Sequence, residues 1–253
     1  MAEIMVVVTI FGFVMAGVLP FFIMSLKSQY IGEQKLLING DIRKVTNQMV
    51  ENAREANSFV IYQGFTSQAR WDGATESRDA NGNGAVTFAD RLQNGQAGDF
   101  VVLVYYTDPY FDARFYDGNS NNNPALGSGT VSRMVGYWVA PNRRHPGENA
   151  VYRFDTDTYR ASGATTWSTT WGATFPAALS SSVTLESLLP PATNAYANAP
   201  EFPIMINNLN GLSGGYTFLN YQNKSIISRA KILHGNKAKR VTNTYNFTIT
   251  PRG

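Results

Sequence analysis

Three stretches of the sequence hold residue types whose spacing could do chemistry. Asp79-Ala-Asn-Gly-Asn-Gly-Ala-Val-Thr-Phe-Ala-Asp90 spaces oxygen donors as a calcium loop does, with Asp79, Asn81, Asn83, the Ala85 carbonyl and Asp90 as ligands and Gly84 at the sharp turn. Only Asp79 and Asp90 among these carry charge, the closing position is Asp rather than a bidentate Glu, and no Leu-rich helices flank the loop. The competing reading is a turn over residues 81–84 that feeds a strand, Val86-Thr-Phe88. Asp117-Gly-Asn-Ser-Asn121 has the opening of such a loop without its glycine or closing carboxylate, and reads as a plain loop. Gly211-Leu-Ser-Gly-Gly215 matches the nucleophile-elbow pattern, which needs a histidine and an acid downstream. His234 follows, but no Asp or Glu lies beyond Glu201, so a glycine-rich turn is expected. With 2 His and 0 Cys, a His/Cys metal site and a cysteine nucleophile have no residues to build from within one chain. His145, in Asn142-Arg-Arg-His-Pro146, belongs to a turn and is expected in solvent. These residues lead us to expect no enzyme and no cofactor, with calcium at the 79–90 loop the one exception left open.

The third chemically informative group is Glu3, a carboxylate at the edge of an uncharged run over residues 4–24 whose only polar side chain is Thr9. As a helix this run spans roughly 31 Å, close to the ~30 Å hydrocarbon core of a bilayer. Its Ile, Val, Leu and Phe side chains favour insertion by roughly −5 kcal/mol. A membrane span is the direct reading. Gly12 and Pro20 fit a simple anchor badly, because a glycine costs ~1 kcal/mol and a proline ~3 kcal/mol inside an ordinary helix.

Glu3, Gly12 and Pro20, at these spacings in an apolar N-terminal helix, resemble the signature of type IV pilins and type II secretion pseudopilins. The resemblance implies a subunit held in the inner membrane by its helix, then packed into the core of a helical homopolymer. It implies that Met1, Glu3, Gly12, Gly17 and Pro20 serve filament assembly, with Glu3 pairing the N-terminal amine of a neighbouring subunit. A bend or unwound turn near Pro20 is expected in the assembled state. The partners implied are identical subunits, the inner membrane before assembly, a prepilin peptidase and the pilus assembly machinery. The place is the inner membrane and then the cell surface. The family's mature chain begins with an N-methylated Phe four residues before the glutamate, whereas Met1 here stands two residues before Glu3. Two alternatives remain beside the bulk filament subunit: a minor pseudopilin, or an anchored envelope protein whose head binds a ligand without polymerising.

The elements that position these residues follow from the hydrophobic pattern. Ile38, Ile42, Val45, Met49, Ala53, Ala56 and Val60 recur at spacings of three and four, which predicts that the helix continues to about Tyr62 with one apolar face. Beyond it, Phe100-Val-Val-Leu-Val-Tyr-Tyr106, Phe111-Asp-Ala-Arg-Phe-Tyr116, Val131 to Val139, Ala150 to Phe154, and segments near 216–221, 225–233 and 242–250 read as strands. The second pair forms a hairpin across residues 141–149. Val183 to Leu189 reads as a short helix stopped by Pro190-Pro191, and residues 119–129 and 162–171 as loops. The fold class expected is α+β: residues 1–26 as span, 27–62 as an amphipathic helix, and 63–253 as an antiparallel β-sheet head.

Composition bounds the rest. The head of about 190 residues is large enough for its own core, and 0 Cys means that it holds together without disulfides. Residues 202–253 carry 7 Lys/Arg and no acid, leaving 14 Lys/Arg against 18 Asp/Glu in residues 1–201. The +7 end is a solvated basic edge or a patch complementary to the next subunit; nucleic acid is not the expected partner. Asn223-Lys-Ser and Asn246-Phe-Thr match the glycosylation pattern.

Overall fold

The computed structural model describes residues 2–65, 77–83, 86–107, 129–157, 173–180, 182–190, 204–234 and 241–252. Met1, the segments 111–116, 117–121 and 162–171, and nearly all of 119–129 lie outside them.

Helix α1 runs unbroken over Ala2–Glu55, 54 residues, or about 80 Å. Among the described residues, nothing packs against its first half. Its second half buries Ile38, Val45, Met49 and Ala53, the stripe expected from the spacing, against two antiparallel sheets. The first sheet has the order β1–β3–β4–β5–β7, formed by β1 (Ser58–Tyr62), β3 (Phe100–Tyr106), β4 (Thr130–Pro141), β5 (Asn149–Asp155) and β7 (Ile204–Asn207), with β6 (Ala177–Ala178) paired to β4. The second has the order β11–β10–β9–β2, formed by β2 (Ala97–Gly98), β9 (Phe218–Tyr221), β10 (Ser225–His234) and β11 (Val241–Ile249), with β8 (Leu209–Gly211) also on β10. The fold is α+β.

The first sheet is covered on both faces, which is why β3 is one continuous apolar run rather than an alternating one. One face, with Phe59, Ile61, Val101, Leu103 and Tyr137, meets the helix stripe and the inner side of the second sheet, including Ile226, Ile232, Tyr245 and Ile249. The other face carries an aromatic core under the segments around Phe65, Phe175 and Leu185. There the Trp138 ring stacks on Phe65 at 4.2 Å and on Tyr152 at 5.6 Å. Gly136 is required in β4, because a Cβ there would stand 2.0 Å from the Phe154 ring.

The hairpin across residues 141–149 forms as expected, closed by Pro141↔Asn149. Asn142 Oδ1 accepts the Arg144 and His145 backbone N–H groups at 2.8 and 3.2 Å and leaves His145 exposed. Two expectations are corrected. The helix does not reach Tyr62: it stops at Glu55, and Ser58–Tyr62 is strand β1, antiparallel to β3. Ser-Phe-Val-Ile-Tyr is rich in β-branched and aromatic side chains and is buried along its whole length, so burial on both faces decides against the helical stripe that Ala56 and Val60 continue. The strand Val86-Thr-Phe88 is also absent; a single 3-10 turn, Phe88–Asp90, takes its place, set by Thr87 and Asp90 capping each other. The helix before Pro190 is likewise one 3-10 turn, Glu186–Leu188.

Candidate assembly surface on the N-terminal helix

Residues 4–24 form an apolar cylinder against which no described residue packs. Phe13 is 77% exposed, Phe21 76% and Met5 74%, and the most apolar window, with mean hydropathy 2.5, is 0% buried. Thr9 satisfies its hydroxyl within the helix by donating to the Met5 carbonyl at 2.7 Å, as a polar group in lipid must. Such a helix near the N-terminus points to membrane association or export.

Glu3 stands in the first turn, where the helix dipole favours a carboxylate, and among the described residues it meets no cation of its own chain. Around Gly12 and Gly17 a Cβ would meet nothing within 4 Å, so no packing inside the chain requires glycine there. Pro20 lies within the helix, which passes through it without interruption. The bend expected at Pro20 belongs to the assembled state. The apolar surface extends past the span on the face turned away from the head, where Leu36 is 72% and Leu37 55% exposed.

A polar joint fixes the far end of the helix. Asn52 Nδ2 donates to the Tyr137 hydroxyl at 2.7 Å, and Tyr105 donates to the Asn52 carbonyl at 2.7 Å. Arg133 bridges Asp155 at 2.8 Å and Glu55 at 3.3 Å, with its guanidinium 4.8 Å over the Tyr105 ring. Arg153 also pairs with Asp155. Burial pushes the Asp155 carboxyl up, but the hydrogen bonds and charge of Arg133 and the charge of Arg153 outweigh it, so the carboxyl sits below its ordinary value. This joint makes the helix and head one body and aims the apolar half away from it.

The calcium-type loop closes on itself. Gly82 N–H donates to the Asp79 carbonyl at 3.4 Å, and Asp79 Oδ1 accepts the Asn83 N–H at 3.2 Å. Asn81 Nδ2 donates to Asp90 Oδ1 at 2.7 Å, while the Thr87 N–H and hydroxyl donate to Asp90 Oδ2 at 2.7 and 3.0 Å. Both carboxylate oxygens of Asp90 are thus engaged in capping, and its side chain is buried. Gly84 and Ala85 lie outside the described residues. At Gly211–Gly215, strand β8 is antiparallel and leads into a tight hairpin between Ser213 and Tyr216, with Gly214 at φ 65° and Gly215 at φ 94°. That is the glycine-rich turn, and no nucleophile elbow.

Sequence reasoning missed a buried cluster. Arg91 Nε donates to Glu186 Oε1 at 2.5 Å, and Tyr62 donates to the same oxygen at 2.9 Å. The partners stand 95 and 124 residues apart, so no local pattern could have joined them.

Comparison of the chain with protein-family models, curated proteins and solved structures finds no match. The architecture itself is pilin-like: a long apolar N-terminal helix whose second half is packed against antiparallel sheets.

Proposed function

We propose that this chain is a structural subunit that polymerises through its N-terminal helix into a type IV pilus or pilus-like extracellular filament, and that it acts by assembly rather than catalysis. The observation that carries the reading is the bare half of α1: residues 4–24 are exposed on a helix whose other half packs against a folded head. Lipid covers that surface before assembly, and sibling helices cover it afterwards.

Exchanging lipid for a neighbouring helix gains little hydrophobic energy, since acyl chains are as apolar as leucine. Register must come from packing and from polar groups. A carboxylate enclosed in a dry bundle requires a cation or a proton. The N-terminal amine of an adjacent, axially shifted subunit is the cation such a stack brings to Glu3. Gly12 and Gly17 allow close approach of a second backbone.

The test is Glu3→Ala in the full-length chain in cells, followed by membrane fractionation and electron microscopy of sheared surface material. The expected result is normal membrane insertion with filaments lost. Abundant normal filaments from Glu3→Ala would remove Glu3 from the mechanism. Wild-type chains isolated only as single lipid-embedded molecules would overturn the proposal as a whole.

A further inference from the structure

The Ser213–Tyr216 hairpin, set aside above as a nucleophile elbow, roofs a cleft of about 660 Å³ on the head. The cleft opens between the end of β1, the turn before β2 and strand β10; its walls include Gln63, Leu92, Gln96, Tyr216, Leu219 and Arg229. The hairpin reaches over it because β8 and β9 both pair with β10, and the residues between them loop out opposite Arg229. Leu212 N–H donates to the Arg229 carbonyl at 3.1 Å, and Arg229 N–H donates to the Thr217 carbonyl at 2.9 Å. Thr217 is pinned from below by Asp99 Oδ1, which accepts its N–H at 2.8 Å. The roof is therefore rigid, and the Arg229 side chain emerges beneath it.

Two amides and a guanidinium facing this space keep hydrogen-bonding capacity. Ser213 forms part of the roof, with its Oγ turned in from solvent and no hydrogen-bond partner. Gln63 uses its Nε2 on the Tyr216 hydroxyl at 2.9 Å, which leaves its Oε1 as an open acceptor. Gln96 uses its Oε1 on the Gln93 N–H at 2.6 Å, which leaves its Nε2 as an open donor. Arg229 is exposed, and among the described residues it has no ion pair and no Asp or Glu side chain lines the cleft. The walls between these groups are the Tyr216 ring and the side chains of Leu92 and Leu219.

We propose that this cleft binds a carboxylated sugar, a uronic-acid unit of an acidic polysaccharide. A guanidinium takes a carboxylate in a two-pronged hydrogen bond. Gln63 Oε1 and Gln96 Nε2 offer the acceptor and donor that ring hydroxyls need, and the apolar walls suit the flat faces of a pyranose. A free anion such as phosphate would use Arg229 but leave the amides and the apolar walls unused. The site lies on the head and stands whether or not the chain polymerises.

The test uses the full chain in detergent micelles and isothermal titration with three probes: a glucuronic-acid-containing disaccharide, a neutral glucose disaccharide, and inorganic phosphate. The acidic disaccharide is expected to bind about tenfold or more tighter than either control, and Arg229→Gln to lose about the same factor. Gln96→Ala is expected to weaken the acidic disaccharide as well, while Lys224→Gln, which removes one charge elsewhere on the same sheet, leaves it unchanged. Equal binding of the acidic and neutral disaccharides would overturn the proposal. So would phosphate binding as tightly as the sugar, an unaffected Arg229→Gln, or an equal loss in Lys224→Gln.

Discussion

Two substitutions on opposite faces of one helix separate folding from assembly. Met49 is 1% exposed and faces the head, so Met49→Ala leaves a cavity in the joint between helix and sheets. Truncations of this kind cost about 2–5 kcal/mol. Leu36 is 72% exposed, and the fold loses almost no contact with Leu36→Ala, so its effect on monomer stability should stay within about 0.5 kcal/mol. In a filament the order reverses. If the outer face of α1 meets a sibling, Leu36 has 72% of its surface still to bury, roughly 1–2 kcal/mol per subunit. That is about a five- to thirtyfold loss in the affinity of each added subunit. Urea unfolding of the full chain in detergent reads the first quantity, and the yield of sheared filaments reads the second. Met49→Ala should lower the unfolding midpoint; Leu36→Ala should leave the midpoint in place and cut filament yield. A Leu36→Ala chain that unfolds as readily as Met49→Ala would refute the placement of that face in solvent, and one that assembles at full yield would take the face out of the interface.

Two further perturbations probe the polar groups that hold the head together. Glu186→Gln removes the buried carboxylate that Arg91 pairs with and should cost about 3–5 kcal/mol, whereas the double variant Arg91→Met/Glu186→Gln should recover most of it; a double variant no more stable than the single one would show that the two are not coupled. For Asp155, whose folded carboxyl lies below its unfolded value near ~3.9, the stabilisation is fully present above that unfolded value and is lost as the pH falls through the folded one. Asp155→Asn should therefore be the less stable chain at neutral pH and converge on the wild type in acid. Unfolding free energies measured down a pH series check this, and a gap that stayed constant into strong acid would contradict it.

What the sequence made legible depended on whether one local period governed the segment. The stripe Ile38, Val45, Met49 and Ala53 has a partner on one side only, so its helical period survives in the sequence. Strand β3 is recognisable because burial on both faces makes it uniformly apolar. The same two-sided burial concealed β1: Phe59, Val60 and Ile61 satisfy a helical stripe and a buried strand equally well. The neighbouring β3 decides between them, and its pairing is a long-range fact. Strands β7 and β8 escaped notice because they are short and separated by Asn208 at φ 50°. Of the candidate residues, Glu3, Gly12 and Pro20 announced themselves by misfit with a plain span. The cleft under Ser213 was invisible because its walls come from five separate stretches, around residues 63, 80, 96, 213 and 229.

The misfits in α1 also constrain what the helix is for. Gly12 and Gly17 each forgo about 1 kcal/mol of helix propensity relative to alanine, and Pro20 about 3 kcal/mol in an ordinary helix, because it lacks the N–H that the Ala16 carbonyl would accept. Nothing among the described residues repays these costs: a Cβ at either glycine meets open space, and no described element of the head touches the span. A helix that served only as an anchor would be better formed with leucine at all three positions and would insert more strongly. The residues make physical sense once a second body lies against them. Glycines let two backbones approach, and a proline leaves one carbonyl free for a turn that opens when the helix leaves lipid. On the proposed function, the first half of the helix is shaped by a body outside its own chain, and a copy of the same helix, carrying the same exposed face and the same Glu3 at its tip, is the body that fits.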